Sequence, residues 1–454
     1  MESTKLRTPK FTTVHPGFIS ALALSLSCNV GFAFSDANWT VLGSGMNERV
    51  YALAISGSNV YAGGRFTSAG GKPVGYIAKW DGSSWTGLGS GLNSWVRALA
   101  VSGTNLYAGG DFTTAGGIPA NRIAKWNGSS WSALRSGVGN YNVSALAVSG
   151  SNVYVGGSFG MVDGLLVYAS NIAKWNGVSW SALGSGTGGN NPSGDVLALA
   201  VSGNDLYVGG DFTTAGGLTA NHVAKWNGTS WTAVGTGMGS GNAISVYSLV
   251  VSGTNLYAGG LFTTAGSVGA TDVARWNGTS WSSLGIGVYV NTNYFPSVYA
   301  LAMHGNDLYA GGDFLKAGGT VTNRTSANRI AKWDGANWTA LGSGMNTNVW
   351  ALAISGDDLY VAGQFTIAGG KSAACVARAY LSDLPLVSML PSGTNVTIFW
   401  PSANTDGFAL EEADVSIHPP TWVPSAATVG DDGTNKFITT PATTGLKYFR
   451  LRRP

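Results

Sequence analysis

Short apolar runs broken by glycine, serine and asparagine dominate the chain, and they recur in a fixed order. In one unit the runs are "VYALAISG" (Val50 to Gly57), "NVYAGGRFT" (Asn59 to Thr67), "YIAKWDG" (Tyr76 to Gly82) and "SWTGLGSG" (Ser84 to Gly91). Each has strand length and is rich in β-branched or aromatic residues, whereas nothing in the unit has helical period, capping or length. Tight turns, Ser-Gly-Ser-Asn and Asp-Gly or Asn-Gly plus Ser, join the first run to the second and the third to the fourth. The unit therefore reads as four antiparallel strands.

The unit repeats. "LYAGGDFTTAGG" from Leu106 returns as "VYAGGRFTSAGG" from Val60, "LYVGGDFTTAGG" from Leu206, "LYAGGLFTTAGS" from Leu256, "LYAGGDFLKAGG" from Leu308 and "LYVAGQFTIAGG" from Leu359, with a more edited copy from Val153. The fourth run places tryptophan at 39, 85, 131, 180, 231, 281 and 338, a period near 50 whose variation confines insertions to loops. A lone fourth run, Asn38 to Gly45, precedes the first unit, and the last unit, Val349 to Tyr380, stops after its third. Together these two fragments make one unit, so the sequence predicts an all-β, seven-bladed β-propeller over residues 36–380 whose N-terminal strand closes the last blade.

These repeats resemble the kelch type of propeller repeat, and are more similar still to repeats of secreted bacterial proteins and of fungal cell-surface polarity-landmark propellers. The resemblance covers Asn38 to Tyr380. It implies a fold and says little of function, because such scaffolds serve many roles. Residues 381–393 read as a linker. Residues 394–454, with "NVTIFWP" and "KYFRLRRP", read as a small β-sandwich-like module similar to those that end many secreted bacterial proteins.

Composition adds a compartment. Lys5, Arg7 and Lys10 precede the apolar run Phe18 to Leu26 and a small-residue site at Ala33-Phe34-Ser35, the order of a secretory signal over residues 1–35. Cys28 after "SLS" offers a lipoprotein alternative, with Leu24 one place too far away. Of 25 basic and 22 acidic residues, three and one lie in that segment, which leaves 22 against 21. A balance so near neutral leaves no electrostatic footprint for nucleic acid, and no other stretch is long and apolar enough for a transmembrane helix. Only Cys375 would remain, so no internal disulfide is expected, and the protein is expected to be a monomer.

Four motifs hint at chemistry. "AGGKSA" (Ala368 to Ala373) nearly spells a P-loop, yet Phe365 stands where its first glycine belongs. The aspartates of the "GGDFTTAGG" loops at 111, 211 and 313 become Arg65, Ser158, Leu261 and Gln364 elsewhere, which suits calcium poorly. "KWDGSSW" (Lys79 to Trp85) sits where sialidase-like propellers carry an Asp-box, but Asn127, Asn176, Asn227 and Asn277 replace the acid as hairpin-turn residues. The repeat tryptophans read as core. A galactose-oxidase-like copper site lacks its histidines, and His222, standing where other copies have Arg122 or Arg329, is expected to be an exposed loop residue. No paired-carboxylate constellation is expected, and neither is a metal or cofactor.

Binding remains. Connections from the fourth strand to the next first strand grow at Gly184 to Asp195 and Gly285 to Ser297, and the starts of the first strands depart from the repeat. Variable loops on a rigid scaffold usually carry binding. The expected ligand surface comprises Trp95, Arg97, Tyr299 and Trp350 with Tyr289, Tyr294 and Phe295 of the longest such loop. The sequence thus predicts a secreted, non-catalytic module that binds a polysaccharide or a surface protein; a glycan-active hydrolase or lyase is the alternative.

Overall fold

The computed structural model describes residues 34–189, 194–240, 244–289, 296–320, 324–381, 387–392, 394–402, 408–414, 422–441 and 447–452. The chain divides into two compact units, Ala33–Ser382 and the segment from Asp383 to Pro454. The only helix among the described residues is the single 3-10 turn Asp36–Asn38.

The larger unit contains seven four-stranded antiparallel sheets. In the first, Val50–Ser56, Asn59–Gly64, Ile77–Trp80 and Trp85–Gly87 pair in chain order. Five more follow the same plan; their first strands are Val96–Ser102, Asn142–Ser149, Val196–Ser202, Ser245–Ser252 and Val298–His304. In the seventh, Val349–Ser355, Asp358–Gly363 and Val376–Tyr380 are completed by Trp39–Val41, with Trp39 opposite Ala379. The first strand of each sheet packs against those of its two neighbours, and that of the seventh packs against that of the first. The sheets therefore close into a ring, which is the arrangement of a β-propeller.

A glycine pair lets six of the seven sheets pack closely on the next, and the seventh has Ala362 before Gly363. A Cβ on Gly63 would lie 2.4 Å from Cγ1 of Val96 in the next sheet, so the first glycine lets the neighbouring valine sit on the backbone. A Cβ on Gly64 would lie 2.2 Å from the Arg49 carbonyl oxygen of its own sheet, where the first strand bulges. All seven first strands carry that bulge, directly after a fully buried valine. The "GG" phrase is thus scaffold, as its repetition suggests. Beyond it, each linking segment forms a two-residue ladder, for example Ser68–Ala69 against Lys72–Pro73, that the four-strand reading leaves out.

A second circle runs near the fourth strands. Each tryptophan indole N–H donates to a carbonyl of the preceding sheet: Trp85 to Leu42, Trp131 to Leu88, Trp180 to Leu134, Trp231 to Leu183, Trp281 to Val234 and Trp338 to Leu284, at 2.8–3.0 Å. Trp39 closes the circle on Leu341 at 3.2 Å. A buried indole needs a partner for its N–H, and here the partner also ties one sheet to the next.

The smaller unit has two antiparallel sheets, of four strands and three, around Val396, Ile398, Trp400, Leu410 and Ile438.

Candidate functional site

A bulge inserts one residue and re-aims its side chain. The inserted residues are Tyr51, Arg97, Ser144, Leu197, Tyr247, Tyr299 and Trp350, one per sheet. They stand where the first strands begin, at one end of the central channel. A cavity of about 190 Å³ runs inside the ring, lined by the leucines Leu53 to Leu352 of the first strands and, among the bulge residues, by Ser144, Leu197, Tyr247, Tyr299 and Trp350.

The aromatic members form an arc. Tyr247 lies 5.4 Å from Tyr299, which stacks on Trp350 at 4.2 Å and 22°. Trp350 meets Tyr51 edge-on at 6.1 Å, and Tyr51 approaches Trp95 at 6.5 Å. The arc therefore crosses the fifth, sixth, seventh, first and second sheets, whereas the third and fourth present Ser144 and Leu197. The indole N–H of Trp350 is buried with no hydrogen-bond partner. Burial raises the pKa of the Tyr299 phenol above its usual value, against a hydrogen bond from Ser297.

Outside the arc, strand register sets residues in cross-strand pairs just before each bulge. Asn142 is opposite Ser158 and Ser245 opposite Leu261; extending the ladders by one place sets Trp95 against Asp111, Ser297 against Asp313 and Asn348 against Gln364. In two sheets the pair has like charge: Arg49 against Arg65 in the first, and Asp195 against Asp211 in the fourth. The Arg65 guanidinium lies 4.7 Å over the Trp95 ring, and Arg49 is 3.5 Å from Glu48. One carboxylate oxygen each of Asp195 and Asp211, and Nε of Arg49, are buried without a hydrogen-bond partner. Burial, and then the charge of Asp195, push the pKa of Asp211 up.

A third set precedes the third strands. Tyr76, Arg122, Asn171, His222, Asp272, Arg329 and Cys375 all have φ between 62° and 67°, in the left-handed region. Each accepts, at its carbonyl, the N–H of the second glycine of its sheet. Glycine would adopt this conformation without strain, yet six different side chains occupy it. Asp272 is 1% exposed; burial pushes its carboxyl up to about 8, although Oδ1 accepts from the Phe262 N–H at 3.0 Å. His222, expected as an exposed loop residue, is instead buried: its backbone bonds to Phe212 and Gly210 draw it into the sheet, and burial lowers its pKa.

The structure thus brings Trp95, Tyr299 and Trp350 into one arc. Arg97 stands beside it, 5.4 Å from the Trp95 ring and held on Asp111 by bonds of 2.9–3.1 Å. Tyr289 lies apart, on the two-residue strand Val288–Tyr289 that pairs with Lys316–Ala317, under the Arg324 guanidinium. Tyr294 and Phe295 lie outside the described residues. Sequence reasoning missed Tyr51 and Tyr247 as partners in the arc, and it expected no paired carboxylates where the register sets Asp195 opposite Asp211. Tyr51 and Tyr247 did carry a signal, since they stand at first-strand starts that change from repeat to repeat, whereas the carboxylate pairing depends on strand register.

No protein-family model matches the chain, and no curated protein matches it. A solved structure of a candidate 6-phosphogluconolactonase from Bacteroides fragilis aligns with 88% of this chain and 99% of its own length, at 10% identity and a TM-score of 0.36. At that level the fold rests on the ring of sheets itself.

Proposed function

We propose that this chain is an exported, kelch-like, seven-bladed β-propeller with a small β-sandwich module after it, and that it binds a polysaccharide or a surface protein at the channel mouth without catalysing a reaction. The aromatic arc carries the reading. Five rings from five sheets are gathered around one opening, and the buried indole N–H of Trp350 has no partner within the chain. Aromatic faces with a few polar groups suit the apolar faces and hydroxyls of a sugar, or an anchor residue of a protein partner. With a ligand identified by a glycan array and pull-down, alanine at Trp350 and at Trp95 should each weaken binding by about 1–3 kcal/mol with the fold intact. Unchanged affinity in both variants moves the site elsewhere. Export would start the mature chain at Asp36, which the intact mass of the exported protein tests; a mass beginning at a lipid-modified Cys28 overturns that start.

One observation favours a second reading, a glycan-active hydrolase or lyase. Asp195 and Asp211 are neighbouring carboxyls, of which Asp211 is pushed toward its protonated form. Glycoside hydrolysis uses such a pair of carboxyls, one protonated and one ionised. Release of reducing ends from a polysaccharide, abolished in Asp211→Asn, would establish it.

A further inference from the structure

The cross-strand positions before the bulges do not require charge, because Asn142 with Ser158 and Asn348 with Gln364 occupy them in the third and seventh sheets. A mixed pair would form a favourable contact, and a pair of one sign is unfavourable in the free protein. Both Arg49 with Arg65 and Asp195 with Asp211 are of one sign. They stand on the first and fourth sheets, three steps apart in a ring of seven and so as nearly opposite as that ring allows. The arc links them: Tyr247 is on the sheet next to the acidic pair, and Tyr51 is on the sheet of the basic one.

We propose that the mouth takes a glycan segment carrying both a protonated amine and a carboxylate, the amine at Asp195 and Asp211 and the carboxylate at Arg49 and Arg65. This rests on the mouth being a glycan-binding surface, as argued above. An ammonium has three donors and no acceptor, which fits two carboxylates whose buried oxygens lack donors. Guanidinium groups present the planar fork that a carboxylate accepts. A neutral glycan would leave both repulsive pairs as they are. A divalent cation is a poorer fit, because no group of three His, Cys, Asp or Glu side chains able to hold one occurs among the described residues. A segment laid along the arc would place its sugar faces on Tyr299 and Trp350 and its charged groups at the two ends.

The test is calorimetric titration of the purified protein with three oligosaccharides of equal length: an alternating glucosamine–glucuronate with free amines, its fully N-acetylated form, and a neutral β-glucan. The free-amine oligosaccharide should bind at least about tenfold more tightly than the N-acetylated one. The double variant Asp195→Asn with Asp211→Asn should bind both about equally, and its thermal melt reports whether the fold is kept. The double variant Arg49→Gln with Arg65→Gln should weaken both by about tenfold. Equal binding of the free-amine and N-acetylated forms by the parent protein overturns the assignment of the poles while leaving glycan binding in place. Binding of none of the three oligosaccharides overturns both.

Discussion

The two ends of each sheet make opposite use of the same strands. At the end away from the mouth, the turns from third to fourth strand are copies of one another. Asp81, Asn127, Asn176, Asn227, Asn277 and Asp334 each accept the backbone N–H groups two and three residues on, at 2.7–2.9 Å. These six turns thus satisfy their exposed backbone N–H groups locally and in the same way. At the mouth the equivalent positions change from sheet to sheet, hold a non-glycine residue in a left-handed conformation, and leave polar atoms of Arg49, Asp195, Asp211, His222, Asp272, Arg329 and Trp350 without hydrogen bonds. Buried polar groups are normally satisfied, so such a concentration at one end supports the proposed binding mouth there. One end of each sheet repeats its polar contacts, and the other varies them.

On this division, changes to the backbone frame of the ring destabilise, and changes to the variable side chains of the mouth do not. The largest effect should come from deleting Asn38 to Gly45, which exposes the edge of Val376–Tyr380 and removes the Trp39 link to Leu341. Loss of a cooperative melt or aggregation is expected, and a melt like the parent's would break the division. Next comes Gly210→Ala. Its Cβ would lie 1.9 Å from the Asp195 carbonyl oxygen, so the bulge must move, at a cost of about 3 kcal/mol by denaturant unfolding.

The mouth should respond in the other direction. The folded state holds the Asp272 proton up to about pH 8, whereas an unfolded aspartate releases it near pH ~4. The contribution of this proton to stability is therefore complete below pH ~4, declines between, and is lost above about 8. Asp272→Asn should flatten that decline and be more stable than the parent at pH 9 by more than about 1 kcal/mol, as read from urea unfolding at pH 5 and 9. Asparagine fits the position: Asn171 holds it in the third sheet and accepts the Phe159 N–H just as Asp272 accepts that of Phe262. The smallest effect belongs to Asp195→Asn, which relieves a like-charged pair and should raise stability by about 0.5 kcal/mol at pH 7. A loss of more than 1 kcal/mol, measured in the same way, would count Asp195 among the scaffold residues.

What the sequence disclosed follows the same line. The four-strand units, the glycine pairs and the repeated tryptophans could be read directly, because turn chemistry and aromatic spacing are local signals. The pairing of Asp195 with Asp211 could not, because it depends on a register that the bulge shifts by one place, at a spot where Gly210 comes close to the Asp195 carbonyl of the paired strand. His222 was misjudged for a related reason. Its neighbours in sequence are loop-like, but its N–H and C=O are both taken up in the sheet. Trp95 and Trp350 stood out as departures from the repeat, whereas Tyr51 and Tyr247 became their partners only when the ring closed.

The circle of tryptophan links also constrains the order in which the molecule can be completed. Six of the links join residues 43–54 apart in sequence, but the seventh, from Trp39 to Leu341, spans 302. The extra chain entropy of that closure is modest, about 1.6 kcal/mol, because loop cost grows only with the logarithm of length. Timing is the stricter limit. Trp39–Val41 precedes every other strand of the ring, and its partner Val376–Tyr380 is the last of them, so the seventh sheet cannot form until the whole ring has been synthesised.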